Sequence, residues 1–355
     1  LISFIASMSG EGNLRVEENL GEGYVRLRVS EAERRQAKHD IQHVEDIVIE
    51  MLRNARDAGA DRVYLATTKE EGVRTLLFLD NGSGVPQDMQ ERIFDARVTS
   101  KLESMKMDRW GVHGRGMALF SIKQNTDEAR VVTSGVDLGS AFKVCVATDR
   151  LGERADQSSW PQAVKDEDGR YVCARGPHNI IRAACEFALE ELRSCDVYLG
   201  SPSEIAATLY AQASSRLDTS RLLFIDDECE LPVIDRLGLA SDAEDFIRIC
   251  SGLGLEMSER TAHRILSGQI KPVRGVTARL LRERDSTSLS PVPVDLAKDR
   301  RGLRIAKDDM AQFSRAVERD FNDLAARYYL NLCGDPKIRV SRDRITVTFD
   351  LAKEE

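Results

Sequence analysis

A glutamate and an asparagine four residues apart stand in the stretch Glu50-Met-Leu-Arg-Asn54-Ala-Arg-Asp57-Ala-Gly-Ala60. In a helix that spacing puts both side chains on one face, a turn from each other. A carboxylate so placed can take a proton from an attacking water. An amide oxygen one turn on can complete a Mg²⁺ shell made mostly of water and phosphate oxygen. Taken alone, the pair equally fits a solvated acid beside an ordinary surface amide. A second group, Asp80-Asn81-Gly82-Ser83-Gly84-Val85-Pro86, follows the apolar run Leu-Leu-Phe-Leu. Such residues make turns in any protein. In a binding role Asp80 would accept a hydrogen bond from an exocyclic purine amine, while Gly82 and Gly84 let backbone approach base and ribose. A third, Gly111-Val-His-Gly114-Arg115-Gly116, runs into a helical pattern, where backbone N–H groups and the helix dipole favour phosphate. It lacks the preceding strand of a dinucleotide fold, and the loop GxxxxGK[ST] does not occur.

These residues need a scaffold. Residues 1–22 are weakly patterned and read as an extended arm; Leu1–Gly10 have no basic start and do not resemble a secretory signal. Residues 23–30 alternate as a strand does. Ser30 with Glu33 forms a capping-box signature, after which one long helix is expected to about Ala58, closed by Gly59. Ile41, Val44, Ile47, Val48, Met51 and Leu52 form its apolar stripe. Two strands follow at 62–68 and 73–80, then an irregular stretch to about Trp110, a helix at 116–124, and strands at 129–134 and 140–148. The expected class is α+β: a two-layer α/β sandwich whose mixed, mostly antiparallel sheet carries helices on one face. Residues 151–170 read as a loop or linker. Beyond them come a helix at 179–193, the runs 197–201 and 221–226, and a helix at 203–214.

The order E-x-x-x-N-A-x-D-A-G-A, D-N-G-x-G after a strand, Thr99-Ser100-Lys101, then G-x-x-G-x-G before a helix resembles the ATPase module of the GHKL superfamily. That group comprises gyrase-type topoisomerases, heat-shock chaperones, histidine kinases and MutL-type repair proteins. The wording is most similar to the MutL and topoisomerase VI B-subunit branches, over about residues 30–150. The resemblance implies ATP and Mg²⁺ as cofactors and slow ATP hydrolysis. In it Glu50 is the general base, Asn54 the Mg²⁺ ligand, and Asp57 closes the motif. Asp80 reads the adenine amine, Gly82 and Gly84 shape the base pocket, and Gly111, Gly114 and Gly116 wrap the triphosphate. Residues 94–110, with Thr99, Ser100 and Lys101, form a mobile lid, and Arg115 offers a charge. The helix glutamate favours hydrolysis over phosphotransfer. A lysine from the second half would reach the γ-phosphate: Lys271 of Gln-Ile-Lys, Lys298 or Lys307.

The division expected is an arm (1–22), an ATP-binding domain (23–235), a small helical domain (236–290), and a linker, long helix and strand pair (291–355). Residues 258–284 resemble a helix-turn-helix unit capped by Ser258, carrying Arg260, His263, Arg264, Lys271, Arg274, Arg279, Arg282 and Arg284. They would offer DNA a basic patch within a chain of net charge -8. A solvated helical bundle reads the same way. Two functions follow: an ATP-driven clamp acting on DNA, dimerising with nucleotide, or a nucleotide-gated protein-interaction switch. No stretch is long and apolar enough for a membrane. The seven cysteines are odd in number and widely spaced, as in a reducing, cytoplasmic setting.

Overall fold

Gly21, Glu22 and Gly23 all have positive φ and turn the chain tightly. They join Val16–Gly21 (β1) antiparallel to Tyr24–Leu27 (β2). The end of the expected arm is therefore a strand. The computed structural model describes residues 16–100, 106–113, 116–217, 227–281, 307–325, 330–334, 336–340 and 345–353; the arm's first fifteen residues, Lys101, Gly114, Arg115, the run 221–226, the linker with Lys298, Arg282 and Arg284 lie outside them.

The single helix expected to Ala58 is two helices, Glu31–Asp40 (α1) and Val44–Asp57 (α2). The capping box at the start of α1 is as expected, with Glu33 accepting from the Ser30 N–H at 2.8 Å. Ile41 leaves the helical region, and Asp46 accepts from the N–H groups of Gln42 and His43, each at 2.9 Å. That carboxylate starts a new helix where the apolar stripe alone runs on unbroken.

The sheet takes Arg62–Glu70 (β3) and Val73–Asp80 (β4) at its centre. Val98–Thr99 (β5) pairs with β2, and Lys106–Asp108 (β6) with Gly111–His113 (β7). After Ala118–Asn125 (α3), Glu128–Ser134 (β8) and Ser140–Ala147 (β9) complete the antiparallel part. At the end of the region read as a linker and just beyond it, Gln162–Lys165 (β10) and Tyr171–Arg175 (β11) form a hairpin whose turn is closed by Asp166 and Gly169. Then come Ile180–Glu190 (α4), Asp196–Gly200 (β12) and Pro202–Arg216 (α5). The strand order is β12-β3-β4-β9-β8, with β12 parallel to β3 and the rest antiparallel. The class is the mixed α+β one expected.

Helices α2, α3 and α4 cover one face, meeting Val63, Leu65, Leu76, Phe78 and Val144. The opposite face carries Tyr64, Ala66, Leu77 and Leu79 and is covered too. It meets α5 and two further helices, Ala243–Gly252 (α6) and Glu259–Leu266 (α7), through Leu209, Phe246, Ile249 and Ile265. Leu1–Asp285 form one compact unit and Ser286–Glu355 another. In the second unit, Lys307–Ala325 is helical and Lys337–Val340 pairs with Ile345–Thr348, as expected. A second pair not expected from the sequence joins Leu330–Leu332 antiparallel to Leu351–Lys353.

Candidate functional site

Between α1, α2, α3 and the β4–β9 end of the sheet lies a cavity of about 490 Å³. Glu50, Asn54, Asp57, Asp80, Gly84, Thr99, Ser100 and Gly116 all line it. The helix motif and the strand-end motif thus open into one space. α2 brings Glu50 and Asn54 there because its other side is buried through Ile47, Val48, Met51 and Leu52. Asp80 ends β4, which is fixed on both sides by β3 and β9.

The local chemistry is specific. Asp80 is buried, and its Oδ1 accepts from the Gly82 N–H at 2.8 Å, which sets the carboxylate's orientation. Asn54 lines the cavity with a buried Nδ2 that no group among the described residues satisfies, the mark of a polar group suited to a ligand. Asp57 is buried against Arg56 Nε at 3.0 Å. Tyr24, also in the wall, has its phenol pushed up by burial, with the Ser100 hydroxyl pulling the other way. Among the described residues no group of three His, Cys, Asp or Glu side chains could hold a metal alone. An ion carried mainly by water and phosphate, with one amide oxygen, fits this donor set.

Of the motif glycines, Gly84 and Gly116 line the cavity, and Gly82 and Gly84 have packing reasons of their own. A Cβ on Gly82 would meet Ala58 Cβ and O at 2.8 Å, and Gly82 is not among the lining residues. On Gly84 (φ +69°) it would lie 1.8 Å from the Gly135 carbonyl oxygen. Both let the motif pack on the protein itself, where the expectation was approach to a base. Gly116 (φ +68°) would meet Val98 O at 2.8 Å, and Gly111 lies at the start of β7 with φ +107°.

Residues 94–110 were expected to be a loose lid. Their described parts are bound into the fold. Val98 and Thr99 are buried and pair with β2, and Asp108 is held bidentate by Arg53, both contacts 3.0 Å. The same guanidinium donates to Glu50 Oε1 at 2.7 Å and to the Gly111 carbonyl at 2.9 Å. Arg56 adds a bond to Asp108 at 3.0 Å. Burial works against the charge on Arg56, but Asp108 and Asp57 hold its pKa above the ordinary range. Sequence reasoning missed Arg53 and Asp108. Arg53 is three residues from Glu50 on an otherwise apolar face, which is a signal; Asp108 is distant and offers none. Lys271 is exposed and is not among the lining residues. Its neighbour Ile270 packs on the second face of the sheet, so Gln-Ile-Lys does not serve this cavity.

Residues 41–142 match the family described as histidine kinase-, DNA gyrase B-, and HSP90-like ATPase. They are a GHKL-type ATPase domain. Over 112 residues the chain is 35% identical to a DNA mismatch repair protein MutL of Brucella abortus, a stretch covering 31% of this chain and 18% of that protein. The MutL of Pediococcus pentosaceus is 32% identical over 115 residues (32% and 17%), and that of Thermodesulfovibrio yellowstonii 31% over 107 (30% and 19%). The chain therefore spans less than a fifth of the length of these relatives, and the likeness is to the GHKL domain. No helix among the described residues is long and apolar enough to cross a membrane.

Proposed function

We propose that the chain binds ATP with Mg²⁺ and hydrolyses it slowly, coupling the cycle to action on DNA. The observation that carries the reading is the shared cavity: Glu50, Asn54 and Asp80 line one space large enough for a nucleotide. Asp80, oriented by Gly82 N–H, accepts from the adenine amine. Backbone N–H groups of the glycine-rich motif meet the phosphates, Thr99 and Ser100 border them, and Lys101 and Arg115 belong to the same reading by their motif positions alone. Asn54 supplies one oxygen to Mg²⁺, which when bound neutralises charge developing on the phosphates. Glu50 holds a water and takes its proton as the water oxygen bonds to the γ-phosphorus. The bond from that phosphorus to the β-phosphate oxygen breaks, leaving ADP and phosphate. Arg53 fixes the Glu50 carboxylate through its 2.7 Å bond.

The DNA half is supported by the exposed Arg260, His263 and Arg264 on α7, with Lys271, Arg274 and Arg279 beyond it, and by the name of the relatives. Nucleotide-driven dimerisation belongs to the same reading, and light scattering with a non-hydrolysable analogue tests it. Seven free cysteines agree with a cytoplasmic setting.

Glu50→Ala is expected to keep nucleotide binding while turnover falls about a hundredfold or more. Asp80→Asn is expected to lose binding itself. Titration calorimetry and a phosphate-release assay read the two effects, and unchanged turnover in the first variant removes the assignment.

A further inference from the structure

The cavity is acidic for a site that must hold a polyphosphate. Glu33, Asp40, Glu50, Asp57 and Asp80 line it, against two arginines among the described residues, Arg53 and Arg97. The Arg53 donors are committed: Nε and Nη2 to Asp108, Nη2 also to Gly111 O, and Nη1 to Glu50. Arg97 is different. It is 7% exposed, its Nη2 donates to the Glu33 carboxylate, and its buried Nε has no partner among the described residues. Arg97 lines the cavity, and a guanidinium buried there with a donor unused is costly unless a ligand compensates it.

The backbone supports the same conclusion independently. Arg97 has φ +63°, a region that side chains rarely adopt. The other non-glycine residues with positive φ, Glu22, Glu71 and Asp137, are exposed at the tips of hairpins, where turn geometry requires it. Arg97 sits at no such tip. Its N–H donates to the Gly116 carbonyl at 2.8 Å, and its own carbonyl accepts from Leu27 N–H at 3.0 Å. The strained residue is thus joined to the last glycine of the loop that borders the phosphates. Strain kept at a buried charged residue in a cleft points to function.

We propose that Arg97 is a polyphosphate-binding residue of this cavity, and that Glu33 is the anion competing for it. The inference rests on the nucleotide reading above. A phosphate oxygen displaces Glu33 at Nη2. Glu33 can yield because its side chain is 37% exposed and keeps its bonds to Ser30.

Three variants test this by titration with adenosine and with a non-hydrolysable ATP analogue plus Mg²⁺. Arg97→Gly removes the guanidinium and relieves the backbone. It is expected to weaken the analogue about tenfold to a hundredfold, as loss of a charged hydrogen bond does, while adenosine binding stays within about twofold. Arg97→Lys, which keeps charge without the fork, falls between; it carries the test if the glycine variant does not fold by circular dichroism. Glu33→Gln is expected to tighten the analogue. Analogue binding within about twofold of the parent in both Arg97 variants overturns the proposal, as does an equal loss of adenosine. Asp80→Asn separates the two levels. If it binds adenosine and analogue normally, the nucleotide reading itself fails; if it loses both and the Arg97 variants do not, only this inference fails.

Discussion

At the scale of single residues, the site depends on backbone positions as much as on its acids. Gly84 has φ +69°, and a Cβ there would lie 1.8 Å from Gly135 O; across the same turn, a Cβ on Gly139 would lie 2.1 Å from Asp80 O. The two glycines let the Asp80 loop and the β8–β9 turn touch through backbone. Gly84→Ala therefore combines overpacking with a disfavoured φ and is expected to cost about 3 kcal/mol or more. Gly152→Ala, with nothing within 4 Å of the new Cβ and no positive φ, is the neutral comparison. Thermal unfolding of the pair reads the difference, and equal midpoints would show that the contact is slack. Glu50, Asn54 and Asp80 were legible because short fixed spacings carry them. The reason for Gly84 was not, because its neighbour is fifty residues away. Arg97 was equally hidden: its importance comes from a dihedral angle and from Glu33, neither of which a local pattern encodes.

At the scale of elements, one ion network joins α2, which bears Glu50, to the β6–β7 hairpin. Arg53 ties Glu50, Asp108 and the Gly111 carbonyl together, and Arg56 shares Asp108. Arg53, Arg56 and Asp108 are nearly buried, with side chains 3%, 7% and 7% exposed. Removing one partner strands a charge, so Arg53→Ala and Asp108→Ala are each expected to cost about 3–5 kcal/mol. Because they share one interaction, the double variant should fall short of the sum by about 1–3 kcal/mol. Denaturant unfolding of the four proteins measures that coupling; additive losses would mean that the hairpin and the helix are held by something else. The sequence could not announce this tie. It did announce α2, whose apolar stripe is strict, but it ran α1 and α2 together, because Ile41 and Val44 continue the same stripe through the break. Only the Asp46 side chain, reaching back to Gln42 and His43, ends the one helix and starts the next.

At the scale of the molecule, the sheet has the cavity on one side and helices α5, α6 and α7 on the other. The contiguous apolar run Leu76-Leu77-Phe78-Leu79 was the sign that both faces are covered, a sign that the expectation of helices on one face did not use. α7 buries Ala262 and Ile265 against the second core and turns Glu259, Arg260, His263 and Arg264 to solvent. Recognition through a major groove needs such a helix, anchored behind and basic in front. In a protein of net charge -8 any attraction for DNA must come from a local patch, and the proposed one is here. Duplex binding should therefore weaken steeply with salt, log K falling by about 0.9 per decade for each phosphate neutralised. Arg260→Ala with Arg264→Ala should shallow that slope by about 2. ATP turnover should be untouched, since neither side chain lines the cavity and the buried side of α7 is unchanged. Fluorescence anisotropy across a salt series, run beside the phosphate-release assay, reads both. A slope that survives the double substitution would move the DNA contact elsewhere on the chain. If the parent protein shows no salt-dependent binding, this face serves a protein partner, and the ATPase domain works as a nucleotide-gated switch.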